Sequence, residues 1–128
     1  MKDETKTWLD YSKENLDSSK ILIKRKLYNP CLQNIQQSVE KAMKAIFIER
    51  TIKLKKTHSI TELRNILKEN KINIDLDEDD CDLLDSIYLP SKYPVINVLP
   101  FYEPDEDICQ KGIKIAESVV NSVQNIVK

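Results

Sequence analysis

The sequence contains one glycine, Gly112, among 128 residues. β-Sandwiches, β-barrels and dinucleotide-binding folds need glycine at tight turns and at phosphate-binding loops. No glycine-rich phosphate loop of either common kind can be written with a single glycine. The scarcity of glycine therefore argues strongly against all three classes of protein.

Histidine and cysteine are also scarce, since the chain has only His58, Cys31, Cys81 and Cys109. Without a C-x-x-C pair or a Cys/His cluster of zinc-site spacing, we expect no metal and no cofactor. An odd number of widely spaced cysteines with no signal peptide predicts reduced thiols in a cytoplasmic protein. Cys31 and Cys109 fall on apolar helical faces and are expected in the core. No apolar run approaches the length of a membrane span, so no membrane association is expected.

The net charge is −1, but the charge is unevenly distributed along the chain. Residues 1–71 hold 16 Lys and Arg against 9 Asp and Glu, whereas residues 72–128 hold 4 against 12. A basic half can attract nucleic acid or an acidic partner. Alternatively, the two halves face each other within the fold or across a dimer.

The spacing of apolar residues predicts an all-α protein with five helices. The three long helices are expected at about Glu4–Lys26, Pro30–Lys53 and Asp105–Val127. The second of these carries one apolar stripe, with Lys44 on the opposite, solvent-facing side and Glu40 as its i,i+4 partner. Two shorter helices lie between the second and the last of the long helices. The third helix of the chain starts at Ser59, and the fourth starts within the acidic stretch Asp75–Asp85 and stops near Tyr88. These elements predict one domain over residues 1–128, an antiparallel up-and-down four-helix bundle with an additional short helix.

Several local signals mark the ends of these helices. Asn29 can cap the second helix, and Pro30 suits its first turn. Ser59 and Glu62 form a capping box at the start of the third helix. The acidic stretch lacks the glycine of a calcium loop, because Asp80 occupies that position, so a solvated helix start is expected instead.

Three other features of the sequence bear on its function. The basic run at Arg50, Lys53, Lys55 and Lys56 could hold phosphate together with His58, or it could be a solvated helix end. Four prolines between Leu89 and Pro104 predict a long loop. The wide apolar face of the last helix could serve both the core and a dimer contact.

One motif carries a family resemblance. The run from Tyr28 to Ile46, YNPCLQNIQQSVEKAMKAI, resembles a helix of prokaryotic HEPN domains with the approximate pattern QQAVEKALKA. Thr57-His58-Ser59-Ile60 stands where the family commonly starts its next helix with Thr-His. Lys92-Tyr93-Pro94 stands where the family often has Arg-Tyr-Pro after its fourth helix, and Trp8-Leu9 also fits.

The resemblance implies a helical bundle that is usually a homodimer. Many family members are encoded beside, or fused to, a minimal nucleotidyltransferase, often as toxin–antitoxin pairs, and others are proposed to bind nucleotides. One branch cleaves RNA without metal through an Arg-x(4–6)-His motif. In this sequence seven residues separate Arg50 from His58, and no histidine follows Arg64, so the motif is missing.

These observations lead to three hypotheses about the function of the protein. The first is a nucleotide- or RNA-phosphate-binding partner of a minimal nucleotidyltransferase, with no catalytic residue. Its candidate binding residues are Gln37, Lys41, Lys44, His58, Lys92 and Tyr93. The second is a metal-independent endoribonuclease toxin, disfavoured by the missing motif, and the third is a dimeric scaffold without a ligand.

Overall fold

The computed structural model describes the backbone of residues 1–92 and 104–128, and the side chains of 1–87 and 104–128. In these ranges the chain forms five helices and no strand, which confirms the all-α prediction. The helices are α1 (Asp3–Lys24), α2 (Tyr28–Glu49), α3 (Ile60–Glu69), α4 (Glu78–Lys92) and α5 (Glu106–Val127). None of these described helices is both long enough and apolar enough to cross a membrane.

The four longer helices, α1, α2, α4 and α5, alternate in direction, as an up-and-down bundle requires. Contacts between Ser12 and Ser38 and between Lys2 and Glu49 show that α1 and α2 are antiparallel. Arg50 reaches Ile126, at the C-terminal end of α5, so α2 and α5 run in the same direction. The short α3 lies against α4 and α2, beside the four long helices.

Helix α2 is the centre of the fold and contacts every other helix. Its apolar stripe has no solvent exposure at all, as the helical spacing of its apolar residues predicts. The stripe consists of Leu32, Ile35, Val39, Ala42, Met43, Ile46 and Phe47. Cys31 and Cys109 are fully buried, as the sequence predicts, and burial raises the pKa of the Cys109 thiol to about 12.

Small residues allow close approach of the helices that pack on α2. The hydroxyls of Ser12 and Ser38 each donate to the other residue's backbone carbonyl, at 2.6 and 2.8 Å. The single glycine, Gly112 of α5, lies so close to Ile35 that an added Cβ would be 2.9 Å from Ile35 Cδ1. The glycine is therefore used for packing between helices and not for a turn.

Three helix ends reuse one motif without glycine. Lys26, Thr51 and Lys71 follow α1, α2 and α3 with φ of 59°, 54° and 61°. At each end the next backbone N–H bonds to the carbonyl five residues earlier, as in Leu27 N–H to the Leu22 carbonyl at 3.0 Å. This is the Schellman arrangement, in which glycine usually takes the left-handed position.

The structure corrects several predicted boundaries. Helix α2 starts at Tyr28, so Asn29 lies within its first turn and the predicted Asn29 cap is wrong; the residue before the helix, Leu27, makes no side-chain cap. Helix α4 continues past Tyr88 to Lys92 and includes Pro90 in its last turn. Proline lacks the backbone N–H, so one helical hydrogen bond is missing there, but the helix does not end. The remainder of the predicted loop, residues 93–103, lies outside the described residues.

Candidate phosphate-binding site

A buried carboxylate on α2, that of Glu40, organises the side chains around His58. Glu40 is 4% exposed and makes contacts with three other side chains. Lys44 Nζ donates to Oε2 at 2.8 Å, and Gln36 Nε2 donates to Oε1 at 3.2 Å. His58 Nδ1 lies 3.0 Å from Oε1 and 3.3 Å from Oε2. Because Gln36 and Lys44 lie one turn before and after Glu40, the helical period alone brings these three together.

These contacts keep Glu40 ionised. Burial by itself would raise the pKa of its carboxyl group. The hydrogen bond and charge of Lys44, with the hydrogen bonds from His58 and Gln36, outweigh burial and hold the pKa of Glu40 below its ordinary 4.5. An ionised carboxylate can only accept hydrogen bonds, so Nδ1 of His58 must be the donor in their contact.

Lys44 is enclosed by this network. It is 8% exposed, and its ammonium lies 5.9 Å from the ring centroid of Trp8, on α1. The Lys44 charge is thus compensated by Glu40 and covered by an aromatic ring. The sequence placed Lys44 on the solvent side of α2, whereas the structure buries it.

His58 lies at the rim of an open depression of about 430 Å³, lined by Lys56, Thr57, His58, Ser59 and Asp85. The imidazole side chain is 55% exposed. Its backbone carbonyl also accepts from Gln36 Nε2 at 3.3 Å, which fixes the loop against α2. His58 is therefore oriented from inside the protein by α2 and presented at the surface beside Lys56, which is exposed.

Asp85 of α4 forms the other wall of the depression and caps α3. Its carboxylate accepts from the backbone N–H of Ile60 at 2.6 Å and from the hydroxyl of Thr61 at 2.6 Å. Ser59 caps the same helix by accepting from the N–H of Glu62 at 3.2 Å. The reciprocal half of the predicted capping box is wrong, because the Glu62 carboxylate pairs with Lys55 instead.

Lys41 lies on the other flank of the same α2 turn. Its ammonium donates to Asn15 Oδ1 at 2.8 Å and lies 5.9 Å from the ring centroid of Tyr11. Gln37 is half-buried one turn earlier on α2. The structure thus joins Lys44 and His58 through Glu40, and it directs Lys41 toward α1.

Two other candidate residues were predicted near this site. The side chain of Lys92 and all of Tyr93 lie outside the described residues. Their assignment to the site therefore stays a prediction.

No arginine lines the depression at His58. Arg50 Nη2 donates to the Ile126 carbonyl at 3.4 Å, and Arg64 Nε donates to the Leu76 carbonyl at 2.8 Å. Arg50 is ten residues beyond Glu40 on α2, which corresponds to about 15 Å of helix rise. Arg50 is therefore not placed to act with His58 on one ligand within the chain.

Sequence analysis missed the central role of Glu40 and the capping role of Asp85. Glu40 was recognised only as a partner of Lys44, although its position beside the apolar stripe indicated partial burial. Asp85 was grouped with the solvated acidic stretch. Its capping of α3 depends on how α3 and α4 pack, and no local pattern reveals that packing.

A model of the HEPN domain matches residues 5–126, which is nearly the whole chain. The chain belongs to the HEPN family. The fold is similar to that of an archaeal HEPN homologue, ST0689, with a TM-score of 0.72 and 22% identity over all of both chains. It is also similar to TT1696 from Thermus thermophilus, with a TM-score of 0.79 and 22% identity over 97% of this chain and 98% of the other. None of the curated proteins matches the sequence significantly.

Proposed function

We propose that this HEPN protein binds a phosphate of a nucleotide or RNA at the His58 depression, as the partner of a minimal nucleotidyltransferase within a toxin–antitoxin module. The contact between His58 Nδ1 and the buried Glu40 carboxylate carries this proposal. It fixes the orientation of the imidazole ring at the rim of the depression, where the side chain is 55% exposed.

The chemistry of the depression suits an anion held by His58 and Lys56. With Nδ1 donating to Glu40, Nε2 donates only when the ring is protonated, and a protonated ring adds a positive charge beside that of Lys56. Asp85 adds a negative charge to the wall, but the N-terminus of α3 and Thr61 use its carboxylate.

The binding test uses the full chain with ATP and a short single-stranded RNA. His58→Ala and Lys56→Ala should each weaken binding, and Glu40→Gln should weaken it indirectly because the ring loses its charged acceptor. Lys68→Ala, which removes an exposed lysine at the far end of α3, is the matched charge control. If the wild-type protein binds neither ligand, or if all lysine variants behave alike, the proposal of a phosphate site is wrong.

The partnership is tested by co-expression with a minimal nucleotidyltransferase encoded beside this gene, if one is present. A stable complex of the two purified proteins would support it. Failure of the two proteins to associate at micromolar concentration would contradict it. The phosphate site is judged separately, because the binding test uses this chain alone.

An endoribonuclease remains the alternative activity. The arrangement that favours it is the carboxylate-oriented imidazole, since such a pair can transfer protons. The position of Arg50 disfavours it, because no arginine of this chain shares the depression with His58. RNA cleavage that is lost in His58→Ala would establish this alternative, whereas intact RNA would support binding without catalysis.

A further inference from the structure

We propose that Tyr11 and Lys41 form a second subsite, which stacks the base and binds the phosphate of one nucleotide unit. The inference rests on the proposed function and extends it to the surface along which α1 and α2 pack together. It assigns base stacking to Tyr11, a residue that no sequence motif singles out.

Two lysine–aromatic pairs follow each other along the contact between α1 and α2, and they differ in net charge. Lys44 over Trp8 is neutralised by Glu40 and buried. Lys41 over Tyr11 has the same distance to the ring centroid, 5.9 Å, but its hydrogen-bond acceptor is the neutral amide of Asn15. No ion pair among the described residues includes Lys41. The second pair therefore keeps a net positive charge beside an aromatic face.

The Tyr11 ring is available to a ligand. Its side chain belongs to the few large hydrophobic residues that remain exposed, at 51%. Lys41 covers part of the ring, and the exposed part offers a stacking surface. A nucleotide matches both features, because its base stacks on aromatic faces and its phosphate pairs with a lysine.

The position of the Lys41 ammonium is set before any ligand binds. Asn15 Nδ2 donates to Asn34 Oδ1 at 2.9 Å, and Asn34 Nδ2 donates to the Pro30 carbonyl at 2.9 Å. This chain of amides directs Asn15 Oδ1 toward Lys41. Because the Lys41 side chain is already held in place, it loses less conformational entropy when a phosphate binds than a freely rotating lysine would lose.

The subsite lies close to the proposed phosphate site. Lys41 follows Glu40 directly, and the two side chains leave α2 about 100° apart, on different flanks of one turn, toward Tyr11 and toward His58. A helix with its side chains is about 10–12 Å wide. A single nucleotide can occupy the Tyr11 subsite alone, whereas a short single strand can reach both flanks.

The experiment measures the affinity of the full chain for a labelled oligouridylate by fluorescence anisotropy and for ATP by calorimetry. Tyr11→Ala should weaken binding about tenfold, whereas Tyr11→Phe, which keeps the ring, should bind within about twofold of wild type. Lys41→Ala should weaken RNA binding and reduce the slope of log affinity against log salt by about 1. Lys20→Ala, which removes an exposed α1 lysine paired with Glu117, is the charge-matched control and should change little.

The two ligands distinguish the source of the nucleotide unit. An effect of Tyr11→Ala on ATP supports a free nucleotide, and an effect on the oligouridylate alone supports an RNA strand. If Tyr11→Ala binds both ligands like wild type while His58→Ala weakens binding, the subsite is wrong and the proposed function stands. If the folded wild-type protein binds neither ligand, both proposals are wrong. Thermal unfolding of each variant verifies that it is folded.

Discussion

The carboxylate of Glu40 lies 3.0 Å from Nδ1 of His58, a residue 18 positions away in the sequence. The contact joins the middle of α2 to the loop that precedes α3. Because the carboxylate is buried and the imidazole is exposed, the contact holds an exposed side chain in a fixed orientation against a buried one. The stability of this part of the fold and the orientation of His58 therefore depend on the same ionised group.

Replacement of Glu40 should destabilise the protein in a pH-dependent manner. Since its folded-state pKa is lowered, the Glu40 charge stabilises the fold above the ordinary pKa of 4.5, and this stabilisation is lost as pH falls through the lower folded value. We expect Glu40→Gln to cost about 1.5–3 kcal/mol at neutral pH. Urea unfolding at neutral pH and well below pH 4.5 should show that the difference in free energy of unfolding between Glu40→Gln and wild type becomes smaller at low pH. A difference that is constant with pH would contradict this assignment.

Removal of the Asp85 carboxylate should loosen the start of α3. It accepts hydrogen bonds from two backbone N–H groups, of Ile60 and Thr61, and from the hydroxyl of Thr61. We expect Asp85→Ala to lower the free energy of unfolding by about 1–3 kcal/mol. Asp82→Ala is the matched control, because Asp82 is an exposed carboxylate on the same helix. Equal effects of the two substitutions in urea unfolding would show that the cap contributes nothing.

Glycine should be favourable at one position and unfavourable two residues earlier. Lys26 has φ of 59°, a left-handed conformation that costs a residue with a Cβ about 1–2 kcal/mol. After allowing for the greater unfolded-state entropy of glycine, Lys26→Gly should stabilise the protein by up to about 1 kcal/mol. Lys24→Gly removes the same charge but lies within α1, so it should destabilise by about 1 kcal/mol. Melting temperatures that shift in the same direction for both variants would contradict the prediction.

The contact between Gly112 and Ile35 should make substitutions at these two positions interdependent. An alanine Cβ at position 112 would approach Ile35 Cδ1 to 2.9 Å, which offsets the helix propensity gained over glycine. Ile35→Val removes that Cδ1 atom. We expect Gly112→Ala to be more favourable by about 0.5–1 kcal/mol in the Ile35→Val background than in wild type. A double-mutant cycle measured by urea unfolding gives this coupling, and a coupling of zero would show that α2 and α5 adjust freely.

The helices and the buried stripe of α2 could be predicted from the sequence, because helical periodicity and the scarcity of glycine are read directly from the order and the composition of the residues. The helix ends were less predictable. Asn29 looked like a cap and lies inside α2, and Pro90 lies inside the last turn of α4, since packing of the whole helix outweighs the local preference of one residue.

The sequence by itself determined that this is an all-α protein, which apolar stripe of α2 is buried, and which family motifs it carries. Only the tertiary structure decided how the polar side chains are used. It buried Lys44 against Trp8 of α1, directed Lys41 to Tyr11, and placed Asp85 at the start of α3. The physical reason is that these contacts join residues on different helices, so their partners depend on helix packing and not on local spacing.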